Sequence, residues 1–433
     1  MSPTTAMSAT RIVLGNGLTV IVQSSPGVGA AAVHGFVKAG GVWDGDRPGH
    51  SRFVAATLMH GTQRRSNAQI AEDLDAMGAT LAIVPGLEVT TITGRALADD
   101  LPVLLGIAAE VLTEPAFPSE EVEKVRGQLI TSARVNGLDT RHVAERVFRR
   151  LAYPKGHAHA QIPDGDEAVL AALGPANLQA FHARHYGPEA AAIAIVGDVD
   201  PGQAVGQVAE RFGGWAGHGA PAQSIDPNAV SGGALDPLVP GPQASGPHRQ
   251  ETVLPGKTQS DLVLGVPGLR RADPAYYSTM MANLLLGQLG MMGRIGENVR
   301  ERQGMAYYAY SDLRAGLTAG PWWVRAGVNP ANVDRAVAAI LAEIGTFQRD
   351  GPGADELADA RTFLTGSLSV RLETTQGLAQ MLSDIELHGL GLDYLERYPS
   401  IIQRVGRDDI VDAIRRFRTD AYTLAVAGPE RAA

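Results

Sequence analysis

Residues 11–197 and 262–428 of this 433-residue chain set out one series of patterns twice, and that duplication limits the folds open to it. In the first copy, strand signals at 11–23 are split by the turn dipeptide Asn16-Gly17. An apolar strand at 30–38 follows, then a helix at 67–77 that ends on Gly78. Alternation at 87–97 predicts a strand with Val89, Thr91 and Thr93 on one face. Helices are predicted from 99 to 113 and onward from Ser119, an N-cap with Glu120 and Glu121 in the first turn. A helix at 176–186 and a buried strand at 190–197 close the copy. The second copy offers an apolar strand at 262–266, helices at 275–287 and 291–303, a strand at 322–328, helices at 333–349 and 354–373, a helix at 408–418 and a strand at 423–428. Grouped strands with helices between and after them predict an α+β class. The expected domains are 1–215 and 248–433. They are joined by a linker at 216–247 that is rich in Pro, Gly and Ala and lacks apolar periodicity.

The length suits two such domains better than one compact core. The net charge of −9, with no arginine-rich stripe, argues against a nucleic-acid surface or an anionic-membrane surface. The absence of cysteine removes disulfides and thiolate chemistry but leaves the compartment open. The first ten residues lack a basic segment followed by an apolar one. No apolar run reaches the roughly 18 residues a membrane span needs. A cytoplasmic location is expected, with a periplasmic one as the alternative if a signal has been removed.

Residues 48–62 read Pro-Gly-His-Ser-Arg-Phe-Val-Ala-Ala-Thr-Leu-Met-His-Gly-Thr. This stretch resembles the metal-binding helix of the pitrilysin and mitochondrial-processing-peptidase (M16) zinc peptidases. Their pattern is G-x-x-H-F-x-E-H, then four residues, then G-T. Gly49, Phe53, Gly61 and Thr62 fall in register, but Arg52, Ala55 and Ala56 occupy the positions of the two histidines and the glutamate. Histidines four apart share one helical face and can grip one zinc ion, and the glutamate takes a proton from the metal-bound water. An alanine methyl has no lone pair, and an arginine is always charged and repels a cation. Counting on to the family's third ligand position reaches Ser132. The resemblance therefore implies a member with a degenerate metal site and no cofactor in this chain. It also implies two tandem homologous domains of the LuxS/MPP-like metallohydrolase fold, each a mainly antiparallel sheet with packed helices.

Val299-Arg-Glu-Arg-Gln-Gly-Met-Ala-Tyr307 resembles the family's V-R-E-x-x-G-x-A-Y stretch. Arg300 and Tyr307 are seven apart, which on a continuous helix puts both on one face. The residues alone also allow a solvated Arg300 and a Tyr307 that starts a strand. The resemblance implies that the pair reaches a zinc site in the other half or another subunit. There a phenol can stabilise an oxyanion and a guanidinium can fix a carbonyl or carboxylate. Gly287, Gly290 and Gly293 permit close backbone approach or a mobile loop. They resemble the family's Gly-rich segment; a tight turn is the expected role, with substrate gating as the alternative. No Walker Lys-Ser/Thr follows them, so they do not form a phosphate loop. Lys257-Thr258-Gln259 resembles the family's strand opening the second half.

The remaining histidines read as structural. His157 and His159 sit in a Pro-Lys-Gly loop, His182 and His185 lack a carboxylate at useful spacing, and His50 and His60 lack the i, i+4 geometry. No spacing supports an active peptidase with other ligands. The expectation is a non-catalytic subunit of a heterodimeric zinc endopeptidase that is inactive alone. Its partner would be a homologous catalytic chain with an intact H-x-x-E-H that carries the zinc. This chain would complete the chamber for peptide substrates and supply Arg300 and Tyr307 in trans. The alternative is a peptide-binding or structural scaffold with no proteolytic role.

Overall fold

Strands that are apolar at every position need cover on both faces, and the central strands here are of that kind. The computed structural model describes residues 9–161, 164–216 and 246–430. Of the expected linker 216–247, residues 217–245 lie outside the described residues. The chain divides into two compact units.

The first unit is built on a six-stranded sheet. Its strands are β1 (Thr10–Val13), β2 (Thr19–Ser24), β3 (Ala30–Val37), β4 (Thr80–Pro85), β5 (Thr90–Leu97) and β6 (Ala191–Gly197), in the order β1-β2-β6-β3-β5-β4. Only the β2–β6 pair is parallel. The turn expected at Asn16-Gly17 separates β1 from β2, with Gly17 at φ +93. Every residue of β6 is buried, and so is all of β3 after Ala30. One face carries the main core, with Val20, Val33, Phe53, Ile92, Leu104 and Ile193 at 0–2% exposure.

The second unit repeats the plan. Its strands are β7 (His248–Val253), β8 (Ser260–Pro267), β9 (Ala306–Ala315), β10 (Ala319–Val328) and β11 (Thr423–Gly428), in the order β7-β11-β8-β10-β9. The β7–β11 pair is again the parallel one. Lys257, Thr258 and Gln259 do not form a strand. They follow a turn at Pro255-Gly256, where Gly256 has φ +78, and β8 starts after them.

The units do not follow the halves of the sequence. Residues 133–162 belong to the second unit, and 368–394 to the first. Helix Thr140–Ala152, with N-cap Asp139, lies across β8 and β11. It buries Val143, Val147 and Phe148 against Val263, Trp323 and Ala425. Phe148 meets Trp323 edge to face at 5.3 Å. Helix Thr375–Leu387 lies across β3 and β6 and buries Ala379 and Leu382 against Ile21, Ala32 and Val196. Each sheet thus has its second face covered by a helix from the other half of the sequence. Burial of each large apolar side chain contributes about 1.5–3 kcal/mol. The result is an α+β fold of two similar units, each with a mainly antiparallel sheet.

Candidate functional site

Gly49 opens helix His50–Thr57 in the first unit, in the left-handed region at φ +94. A Cβ there would come within 2.6 Å of Gly165 Cα, so glycine suits both the backbone angle and the space. The Asp44 carboxylate holds the start of the helix. Its Oδ2 accepts from Gly49 N at 2.8 Å and its Oδ1 from Ser51 N at 2.7 Å. Burial pushes Asp44 up to about 6, against the pull of these hydrogen bonds.

The positions of the expected metal helix are closed. Ala55 is 1% exposed, and Ala56 packs against the same apolar core. Arg52 turns to Asp164, with Nη1 3.3 Å from Oδ1. Ser132 is half-buried on helix Ser119–Asn136. That helix runs antiparallel to the first, because His60 Nδ1 meets Glu121 Oε2 at 2.5 Å while Arg126 lies over the Phe53 ring at 5.5 Å. A guanidinium, two methyl groups and a hydroxyl do not form a zinc donor set. Among the described residues no group of three or more His, Asp or Glu could hold a metal ion.

The histidines serve packing. His50 Nε2 lies 3.1 Å from Asn177 O, and His182 Nε2 lies 2.9 Å from Leu112 O. His185 stacks on Trp43 at 5.4 Å. In the second unit Tyr153 stacks on His157 at 4.8 Å, and His159 Nε2 meets Thr318 Oγ1 at 3.0 Å.

Arg300 and Tyr307 lie in the second unit, and the continuous helix expected at 291–303 is not present. The backbone is non-helical from Gly290 to Gly293, and a π-helical segment then spans Gly296–Arg302. Such segments recur at functional sites. Gly304, at φ +60, ends it. Gly304 N donates to Arg300 O at 3.1 Å and Met305 N to Val299 O at 3.0 Å, so the chain reverses there. Tyr307 is therefore the second residue of β9, an edge strand, and does not share a helical face with Arg300. Arg300 Nη1 lies 2.9 Å from Glu301 Oε1, and its side chain is 31% exposed. Tyr307 is 69% exposed. Ala309 and Ser311, next on the same face of β9, are fully buried. The Tyr307 ring thus stands where the strand leaves its core.

Two of the three glycines of the expected turn or gating loop, Gly287 and Gly293, serve a close approach. A Cβ on Gly287 would strike Ser311, and one on Gly293 would lie 2.6 Å from Gly287 N. Gly290 has open space and φ +62, and Met291 beside it is 64% exposed.

Two family descriptions match the chain, "Insulinase (Peptidase family M16)" over residues 19–160 and "Peptidase M16 inactive domain" over residues 172–364. The chain belongs to peptidase family M16. It is similar to an uncharacterised zinc protease of Streptomyces coelicolor, 26% identical across 97% of this chain and 89% of that one. An uncharacterised zinc protease of Mycobacterium tuberculosis is also 26% identical, across 99% of this chain and 94% of its own. In fold it matches a solved peptidase M16 inactive domain from Pseudomonas fluorescens, with TM-score 0.88 and 22% identity over 98% of this chain and 99% of that one. A solved protease from Helicobacter pylori matches with TM-score 0.86 and 16% identity, over 98% and 100%. Within this M16 chain, Asp44 and Asp164 are the contributors that sequence reasoning passed over. Both lie outside the motif window, and only the fold brings them to the helix.

Proposed function

We propose that this M16 chain is the non-catalytic subunit of a two-chain zinc endopeptidase. Its partner would be a homologous chain with an intact H-x-x-E-H and the zinc ion. This subunit would complete the chamber, bind peptide, and present Arg300 and Tyr307 to the partner's site. The Tyr307 hydroxyl would donate a hydrogen bond to the oxygen that gains charge when a peptide carbonyl is attacked. Arg300 would hold a neighbouring carbonyl or carboxylate by paired hydrogen bonds. The Gly287–Gly293 segment, with Met291 at its exposed tip, would border the peptide path.

One observation carries this reading. The metal positions are filled by a buried and a partly buried alanine and an ion pair, while Tyr307 stands 69% exposed on an edge strand. Single exposed aromatic side chains are common on protein surfaces. Tyr307 is a contact group in this reading because its phenol is left open to another molecule.

The test is to measure zinc content and peptidase activity of this chain alone, and then mixed with a homologous H-x-x-E-H chain from the same genome. The expected result is no zinc and no activity alone, with strong activation on mixing. Absence of any complex would favour the scaffold role, and zinc-dependent activity in the isolated chain would refute the reading.

A further inference from the structure

In the second unit, helix Thr140–Ala152 leaves a cavity of about 100 Å³ between its N-terminal half and strands β8, β9 and β10. Arg141, Asp261, Val263, Tyr308, Tyr310 and Arg325 line it. Strand register explains the grouping. Asp261 is aligned with Gly327 and Tyr308, and Val263 with Arg325 and Tyr310, so these side chains share the face turned to the helix.

The charges in and behind this cavity do not balance. Glu145 is shared by two arginines, Arg149 at 2.8 Å and Arg325. Both guanidiniums lie over the Trp323 ring, Arg149 at 5.0 Å and Arg325 at 4.6 Å. Burial pulls each of them down to about 10, so both remain charged at neutral pH. Asp261, 2% exposed, is already well served. Its carboxylate accepts from Thr140 Oγ1, from Tyr308 OH at 2.5 Å and from Gln259 Nε2 at 3.0 Å, with Arg141 Nε 4.0 Å away. Asp312 and Arg314, at the far side, pair with each other at 2.6 Å. Three arginines (141, 149, 325) stand against two carboxylates (145, 261), and the extra cation, Arg141, lies 64% exposed at the mouth of the cavity. Arg325 Nε is buried and makes no hydrogen bond. The Tyr310 phenol, pushed up by burial and by Asp312, stays neutral and able to donate.

We propose that this cavity is a binding site for one carboxylate group, held between Arg325, Tyr310 and Arg141. The volume excludes a large ligand and suits a group of three or four heavy atoms. An unpartnered buried Nε–H, a free phenol and a planar cationic fork match the lone pairs of a carboxylate. The carboxylate can come from a small free acid or from the terminus or acidic side chain of a peptide. This site is separate from Arg300 and Tyr307 and does not depend on the partner reading.

The test is calorimetric titration of the full chain with three probes at constant ionic strength. These are sodium acetate against sodium chloride, a short apolar peptide with a free C-terminus, and the same peptide amidated at its C-terminus. The proposal expects saturable binding of acetate, of the free-acid peptide or of both, and none of the amidated peptide. Which of the first two binds identifies the source of the carboxylate. Tyr310→Phe and the surface variant Arg141→Gln should each weaken binding at least tenfold while the thermal unfolding midpoint stays unchanged. Absence of saturable binding with every probe overturns the proposal. So does binding that both variants leave intact, or equal binding of the amidated peptide.

Discussion

The start of helix His50–Thr57 and the start of β9 hold the two stretches that resemble family motifs, and the fold treats them oppositely. At the helix, each position that would face a metal is satisfied from within the unit, Ala55 and Ala56 by apolar packing and Arg52 by Asp164. At β9, Tyr307 is left in solvent although the next residues on its face are fully buried. The first region is packed into its unit, and the second lies at the surface. Two stretches that both match family motifs thus differ in burial within one chain. Motif inspection alone cannot make that separation, because burial decides it.

The comparison breaks most sharply at Ala55. Ala55→Glu puts a carboxylate where exposure is 1%, beside an apolar core, and should destabilise the first unit by about 3–5 kcal/mol in urea unfolding. A loss under about 1 kcal/mol would mean that the position is open after all.

Asp44→Ala comes next. It strips two backbone N–H groups of their acceptor and should cost about 2 kcal/mol near pH 4. The cost depends on pH, and its sign follows from the raised pKa. The folded value of about 6 exceeds the ordinary 3.8, so the folded state holds more protons between those two values. The stability that Asp44 contributes is complete below about pH 4 and declines as pH rises through 6. The shift of about two units corresponds to about 3 kcal/mol, so the native-to-variant difference should fall to zero or reverse sign by pH 7.5. Unfolding of both proteins at pH 4 and pH 7.5 checks this, and a difference that grows with pH would contradict it.

Arg52→Ala is the mildest change at the helix. The Arg52–Asp164 pair is 32% and 20% exposed, so thermal unfolding should show a loss of about 0–1 kcal/mol. At the other region, Arg300→Ala and Tyr307→Phe should leave the unfolding midpoint unmoved within about 0.5 kcal/mol. A large loss in either would make that region structural too and remove the contrast.

Much of this was legible from residue order. The repeated series of strands and helices is present, the Asn16-Gly17 turn falls where expected, and Arg52, Ala55 and Ala56 sit on a helix. The exchange of two helices was not legible. Val143 and Val147 mark an apolar face on Thr140–Ala152, but periodicity reports that a face is buried and not which sheet covers it. The unbroken apolar runs of β6 and β11 were the available clue, since such strands require cover on both sides. The stretch 291–303 misled for a local reason. Its helical spacing is interrupted at Met292 and Gly293, both at positive φ, and the strand begins just after Gly304. Asp44 and Asp164 reach the helix through tertiary structure, which no fixed spacing encodes.

The account rests on Tyr307 acting in a partner's site. The most direct measurement is the turnover of a peptide by the mixed two-chain complex, with native subunit and with Tyr307→Phe at equal assembly. Loss of one oxyanion donor predicts a fall of about 10²–10³ in kcat with complex formation unchanged. Full turnover with the phenylalanine variant would contradict the account.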